Sequence, residues 1–296
     1  MKHSMKSVVV TGGSGKAGSA VIKDLLENGY AVMNVDVMPP SKPLCHFLKA
    51  DLTDMGQAVD AIRRAAGTID RRRSPLNEAT AVIHMAGIPA PSLAPDAVTF
   101  QNNLMSTYNV FSAATLFGLE RVVWASSETL YGLPLTRWQP EAVPITEGMS
   151  VAPESGYALA KGLCEQMARE MSRWNPGTAF VGFRISNIFE APDYEQIPTF
   201  WDNPELRKWN MWSWVDSRDV AQACRLALTA DLIGAEVFTI AAADTLMKTP
   251  SRELMARCFP LVKVRGCIGE FETLLSIDKA RHILGYAPRH SWRSSV

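Results

Sequence analysis

Tyr157 and Lys161, in the stretch YALAK, stand four positions apart. On a helix that spacing brings both side chains to one face. A phenol with a pKa near ~10 is a poor base at neutral pH, and an ammonium beside it favours the phenolate. Such a pair can exchange a proton with an alcohol or a carbonyl. Upstream, WASSETLYG supplies two hydroxyls, Ser126 and Ser127, of which Ser127 is the better placed to hydrogen-bond a reacting oxygen. A tyrosine and lysine at this spacing, or a serine at the end of a strand, is commonplace alone. The elements that would position them, and anything bound beside them, matter next.

TGGSGKAG, residues 11–18, follows the apolar run Val8-Val9-Val10. Glycine costs conformational entropy, so this density requires backbone where side chains would normally stand. Between a strand and a helix the loop suits a dinucleotide. Gly12 allows the tight turn, Gly15 lets a pyrophosphate approach the backbone, and Gly18 lets helix and strand pack closely. Lys16 and Ala17 complete the loop at a helix N-terminus, whose unpaired N–H groups and dipole face the phosphates. Asp36 ends the second apolar run, where a carboxylate accepts the adenosine ribose hydroxyls and repels a 2′-phosphate. No arginine follows in DVMPPSK, which favours NAD, while Lys16 and Lys42 keep NADP open as an alternative. ADLTD places Asp51 and Leu52 after a third strand, and HMAG places Ala86 and Gly87 after a fourth, both bordering the same crevice.

Short apolar runs at 7–10, 31–35, 81–84, 121–125 and 178–183 read as buried strands. Helical periodicity fills 15–28, 55–66, 97–117 and 157–174. The alternation predicts an α/β fold, a Rossmann-type doubly wound parallel sheet covered on both faces. The rhythm changes in IFEAPDYEQIPTFWDNPELRKWNMWSW, rich in aromatics and proline. Residues 1–183 are therefore expected to form the NAD-binding domain and 184–296 mainly a smaller substrate-binding region, with about 216–240 returning to the sheet. The tryptophans at 201, 209, 212 and 214 suit packing, with stacking on a sugar ring as a second use.

Thirty basic against thirty acidic residues among 296 leave no net field to attract nucleic acid or a membrane surface. The basic run Arg71-Arg72-Arg73 reads as a solvated insertion. Five cysteines without C-x-x-C spacing argue against a disulfide framework or a metal site and suit a reducing cytoplasm. No segment approaches the ~18 apolar residues of a membrane helix.

In combination, the glycine loop, Asp36, Ser127 and the Tyr157/Lys161 pair resemble the extended short-chain dehydrogenase/reductase family, the NAD-dependent sugar epimerases and dehydratases, over residues 7 to 290. The resemblance implies that Tyr157 is the acid/base, that Lys161 holds the nicotinamide ribose and tunes Tyr157, and that Ser127 orients the substrate oxygen. It implies a structural and proton-relay role for Asn103, in FQNNLMST, and a cofactor or substrate contact for Asn187, in FRISNIF. It also implies a homodimer through the helices carrying Asn103 and Tyr157.

Two positions depart from the family pattern. Dehydratases place an Asp-Glu pair after the serine or threonine, where this chain has Glu128 and Thr129, so dehydration is disfavoured. Trp212 heads WSWVDSRDVA where epimerases commonly carry an arginine or an aromatic residue, and a tryptophan cannot pair with a diphosphate as a guanidinium does. Arg265, in VRGCIGEFETLLSIDKA, resembles a second phosphate arginine. With the nucleotide anchor weakened, the expected function is oxidation or reduction of a sugar, sugar acid or similar polyol. A nucleotide-sugar epimerase with a transient keto intermediate is the alternative. A catalytically silent NAD-binding sensor is a third, disfavoured by the presence of Ser127, Tyr157 and Lys161 together.

Overall fold

The computed structural model describes residues 7–65 and 79–294. The Arg71-Arg72-Arg73 run lies outside the described residues. In chain order the first half comprises β1 (Ser7–Thr11), α1 (Lys16–Glu27), β2 (Ala31–Asp36), β3 (His46–Lys49), α2 (Met55–Ala65), β4 (Ala79–His84), α3 (Asp96–Leu116) and β5 (Arg121–Ser127). There follow β6 (Ala142–Val143), α4 (Gly156–Trp174), β7 (Ala179–Ile185), β8 (Ile188–Phe189), β9 (Val215–Asp216), α5 (Ser217–Thr229) and β10 (Ala235–Ile240). The chain closes with α6 (Ser251–Cys258), β11 (Lys263–Val264) and α7 (Asp278–Leu284).

Seven strands form one parallel sheet in the order β10-β7-β5-β4-β1-β2-β3. Because successive side chains of a strand point to opposite faces, the run at 8–10 feeds two cores at once. Val8 and Val10 pack with Val21, Leu25 and the α5 residues Val220 and Cys224. Val9 packs with Ile62 of α2, Phe111 of α3 and Cys164 of α4. A strand buried on both faces must be apolar throughout, which is why Ser7–Thr11 reads as a continuous run rather than an alternating one.

From β1 the chain winds outward through β2 and β3, then returns to the other side of β1 and continues through β4, β5, β7 and β10. The reversal leaves a crevice beyond the carboxyl ends of β1 and β4, the place where such sheets take ligands. Beyond β7 lie smaller clusters, one around Trp212, Phe259 and Leu275 and another around Trp214, Tyr194 and Trp292. The aromatic stretch forms two runs of 3₁₀ turn, Ala191–Phe200 and Pro204–Asn210. Among the described residues no helix is long and apolar enough to cross a membrane.

Candidate active site

The glycine loop is dictated by close approach. Gly12 turns at φ +69°, and a Cβ there would come within 2.5 Å of the Ala86 backbone nitrogen. A Cβ on Gly18 would run into the Gly12 carbonyl, and one on Gly13 into the Asn34 side chain. Gly13 was not singled out by the motif, although the four glycines of TGGSGKAG contain it. Gly15 differs, since its Cβ would meet only the Gly12 carbonyl oxygen at 3.4 Å. It also caps α1 with no side-chain hydrogen bond. The protein gives no packing reason for that glycine, and the open helix N-terminus beside it is a cradle for an anion.

Asp36 lies across this loop. Its carboxylate accepts the backbone N–H of Ser14 at 3.0 Å and of Met38 at 3.1 Å. Lys16 pairs with Asp193, tying the glycine loop to the 3₁₀ segment beyond β8. Asp51 caps its own turn by accepting from the Thr53 N–H at 2.9 Å, and the Leu52 carbonyl accepts from Asn109 at 2.9 Å. Asn103 on α3 uses both ends of its amide on one residue, accepting from the Ile88 N–H at 2.8 Å and donating to the Ile88 carbonyl at 3.0 Å. Gly87, at φ +148°, leaves room for that amide, whose Oδ1 a Cβ would approach to 2.9 Å. Asn103 thereby fixes the loop carrying Ala86 and Gly87. These residues fit a dinucleotide laid along the carboxyl ends of β1, β2 and β4.

The reacting groups come from β5 and α4. β5 runs to Ser127, whose Oγ accepts from the Thr129 N–H at 3.2 Å and from the Thr129 hydroxyl at 3.0 Å, fixing the 3₁₀ turn Glu128–Tyr131. Ser126, the other hydroxyl of the pair, donates to Glu165 at 2.7 Å. Glu165 is itself bound by Arg184, so Ser126 is spent on a buried ion pair. α4 starts one residue before Tyr157, with Ser155 accepting the Ala158 N–H at 3.1 Å. Lys161 lies one turn on, its Nζ 5.7 Å from the centroid of the Tyr157 ring. Its ammonium donates to the Ala125 carbonyl at 2.6 Å.

Burial governs the protonation of this pair. It pushes the Tyr157 phenol up to about 12, with the Ser127 hydroxyl opposing and the Glu128 charge adding to the rise. It also pushes the Lys161 ammonium down from its ordinary value. The sequence leads one to expect Lys161 to lower the Tyr157 phenol pKa; in the protein alone burial raises it, and the Lys161 ammonium is engaged with the Ala125 carbonyl.

Around the site lies a polar network that motif reading only partly found. Glu128 is buried and accepts from Ser186 at 2.5 Å, from Asn210 at 3.2 Å and from the Asn187 backbone N–H. Arg207, in the second 3₁₀ segment, donates from Nη2 to Asn187 Oδ1 at 2.8 Å. Its guanidinium lies 5.0 to 5.7 Å from the ring centroids of Trp209, Phe200 and Phe189. Its Nε is buried without a hydrogen-bond partner. Arg207, Ser186 and Asn210 were missed. The available signal was a basic residue set among aromatics in PTFWDNPELRKWN.

Of the two uses open to Trp212, packing and a substrate contact, the structure shows packing. The residue is wholly buried, donates its indole N–H to the Pro204 carbonyl at 2.8 Å and packs edge-on against Phe259. Its ring therefore belongs to the core rather than to a substrate surface. Arg265, after β11, is exposed, and its backbone N–H binds the Val143 carbonyl at 2.8 Å.

The doubly wound sheet with a glycine cradle at its switch point is a Rossmann-type architecture suited to a dinucleotide. The chain belongs to the NAD-dependent epimerase/dehydratase family, whose model matches residues 8–241. It is 32% identical over 200 residues to a UDP-glucose 4-epimerase of Bacillus subtilis, covering 62% of this chain and 53% of that protein. It is 30% identical over 204 residues to UDP-glucose 4-epimerase 3 of Oryza sativa, covering 62% of this chain and 50% of that protein. The chain thus spans about half the length of these curated relatives. Among solved structures, MoeE5 in complex with UDP-glucose and NAD superposes with a TM-score of 0.70 at 21% identity, over 97% of this chain and 95% of that one. A mutated uronate dehydrogenase superposes with a TM-score of 0.67 at 20% identity, over 99% of this chain and 86% of that one. At these identities the likeness is one of fold.

Proposed function

We propose that this chain is an NAD-dependent dehydrogenase that oxidises a hydroxyl of a free sugar acid, with Ser127, Tyr157 and Lys161 as the reacting site. The observation that carries the substrate class is Arg207, a buried guanidinium with an unpartnered Nε, joined through Asn187 to the turn that holds Ser127. A buried unpaired donor on a cation is costly, and a substrate carboxylate would supply both a counter-charge and an acceptor for Nε. Gly12, Gly15, Lys16, Ala17 and Gly18 would hold the pyrophosphate. Asp36 would hold the adenosine ribose, and Lys161 the nicotinamide ribose. Oxidised nicotinamide supplies a hydride acceptor and a positive charge that favours the phenolate. Ser127 holds the substrate oxygen while Tyr157 takes its proton, and the carbon loses hydride to become a carbonyl.

A nucleotide-sugar epimerase is the second reading, favoured by the relatives that bear that name and by Arg265, exposed and able to meet a diphosphate. The assay separates them. A sugar acid should give steady net NADH, with Arg207→Met raising its KM by about tenfold or more. Interconversion of a UDP-sugar without net NADH, sensitive to Arg265→Ala, would replace this reading with the epimerase. All five cysteines are free thiols, which supports work in a reducing cytoplasm. A homodimer is supported by the exposed apolar side chains Met105 and Tyr108 on α3 and Leu159 and Leu163 on α4.

A further inference from the structure

Glu128 is the one carboxylate in direct sequence with the reacting serine, and it is 3% exposed. Its Oε1 takes the Asn210 amide at 3.2 Å and its Oε2 the Ser186 hydroxyl at 2.5 Å. From Ser186 the hydroxyls continue to Ser213 at 2.9 Å and on to Thr273 at 3.5 Å. Each hydroxyl can donate or accept. With Glu128 ionised, Ser186 donates to it. With Glu128 protonated on Oε2, Glu128 donates to Ser186, which turns to donate to Ser213. The run of hydroxyls therefore accommodates either state of Glu128 by reversing its donors.

Arg207 is the cation whose charge acts on this carboxylate, and Glu128 in turn acts on Arg207. The other charged groups on elements packed against the Glu128 turn are otherwise engaged. Arg184 on β7 is paired with Glu165 of α4, and Lys161 of α4 is bound to the Ala125 carbonyl. Tyr157 of α4 is held as the neutral phenol. Glu128 and Arg207 are thus linked through Asn187, which donates its backbone N–H to Glu128 and accepts from Arg207 on Oδ1, while the Arg207 Nε is left without a partner.

We propose that Glu128 is a positioning residue that compensates Arg207 before substrate arrives, and that a substrate carboxylate binding Arg207 is taken up together with one solvent proton on Glu128 Oε2. This rests on the sugar-acid reading. A second anion beside one cation in a water-poor site raises the cost of keeping both carboxylates ionised. The group that yields is the one with a reversible hydroxyl relay. Its position suits the role, because burial, opposed by the Ser186 and Asn210 hydrogen bonds and the Arg207 charge, pushes it up to about 7. In the complex the value must lie higher still, so uptake is greatest above pH ~7 and vanishes below it, where Glu128 is already protonated.

The test is calorimetric titration of the NADH-bound protein with D-glucuronate at pH 7.5, in phosphate and in Tris, whose ionisation heats differ. D-glucose serves as the neutral control. The binding enthalpy should depend on buffer with a slope of up to one proton taken up per glucuronate. In turnover, KM for glucuronate should rise towards about tenfold per pH unit above pH ~7. Glu128→Gln should still bind glucuronate with no buffer dependence. Glucuronate binding with no proton uptake in the wild-type protein would overturn the inference and leave the sugar-acid reading standing. No glucuronate binding, together with no NADH formation from sugar acids, would overturn that reading and the inference with it. The wild-type slope decides the matter even if Glu128→Gln fails to fold.

Discussion

Tyr157 and Asp36 owe their chemistry to what surrounds them rather than to their side chains alone. A phenol pushed up to about 12 by burial is an acid held in reserve at neutral pH. In the proposed reaction its use as a base would depend on a cation arriving with the cofactor. Replacing Tyr157 with phenylalanine removes the proton carrier and keeps the ring in its packing. The expected outcome is a fall in kcat of about 10²- to 10⁴-fold with an unchanged urea unfolding midpoint, and near-normal turnover would refute the assignment. Asp36, already pinned by the Ser14 and Met38 N–H groups, presents its charge at the end of β2. Calorimetry should find NAD bound more tightly than NADP, and Asp36→Ala should narrow the gap. Equal affinities in the wild-type protein would sink the preference.

At the level of elements, the site depends on β1 and α1 meeting with no side chain between them. A methyl at Gly18 has nowhere to go, since the Gly12 carbonyl and the Gly13 Cα occupy its place. Gly18→Ala should destabilise the fold by about 1–3 kcal/mol through overpacking and weaken NAD binding, both readable from thermal melts with and without cofactor. An alanine at Gly15 meets no comparable obstruction. It should melt near the wild-type temperature, so that any loss of cofactor affinity there reports backbone approach rather than misfolding. His84 illustrates the opposite case, a polar group absorbed into the core. It bonds Thr11 at 2.7 Å and Thr107 at 3.2 Å, joining β4 to β1 and α3, and burial pushes it down to about 3.

For the whole molecule, α3 and α4 pack together on one face of the sheet and leave Met105, Tyr108, Leu159 and Leu163 exposed. Covering that surface with a second copy removes it from water, the dominant drive for such association. Sedimentation should show a dimer, and the double variant Met105→Glu, Leu159→Glu should be a monomer because four like charges would face one another across the interface. A wild-type monomer at micromolar concentration would refute the proposal.

The periodicities of 7–10, 31–35 and 121–125 and the glycine loop are local properties, so the sequence alone determined a doubly wound sheet and pointed to the glycine loop and the Ser127, Tyr157 and Lys161 set as its candidate site. Strands followed from apolar runs, and helix faces from the spacing of Tyr157 and Lys161. What required tertiary structure was everything set by partners distant in the chain. Trp212 looks like a substrate contact in its local string, yet it is drawn into a core with Phe259. Arg207 belongs to no motif in its local string, yet aromatic rings and Asn187 enclose it. The Tyr157 pKa could not be read from its neighbour four residues on, because desolvation depends on all the chain folded over it. Proximity along a helix is fixed by geometry that repeats every turn, whereas burial and charge pairing are fixed by which segments the fold brings together.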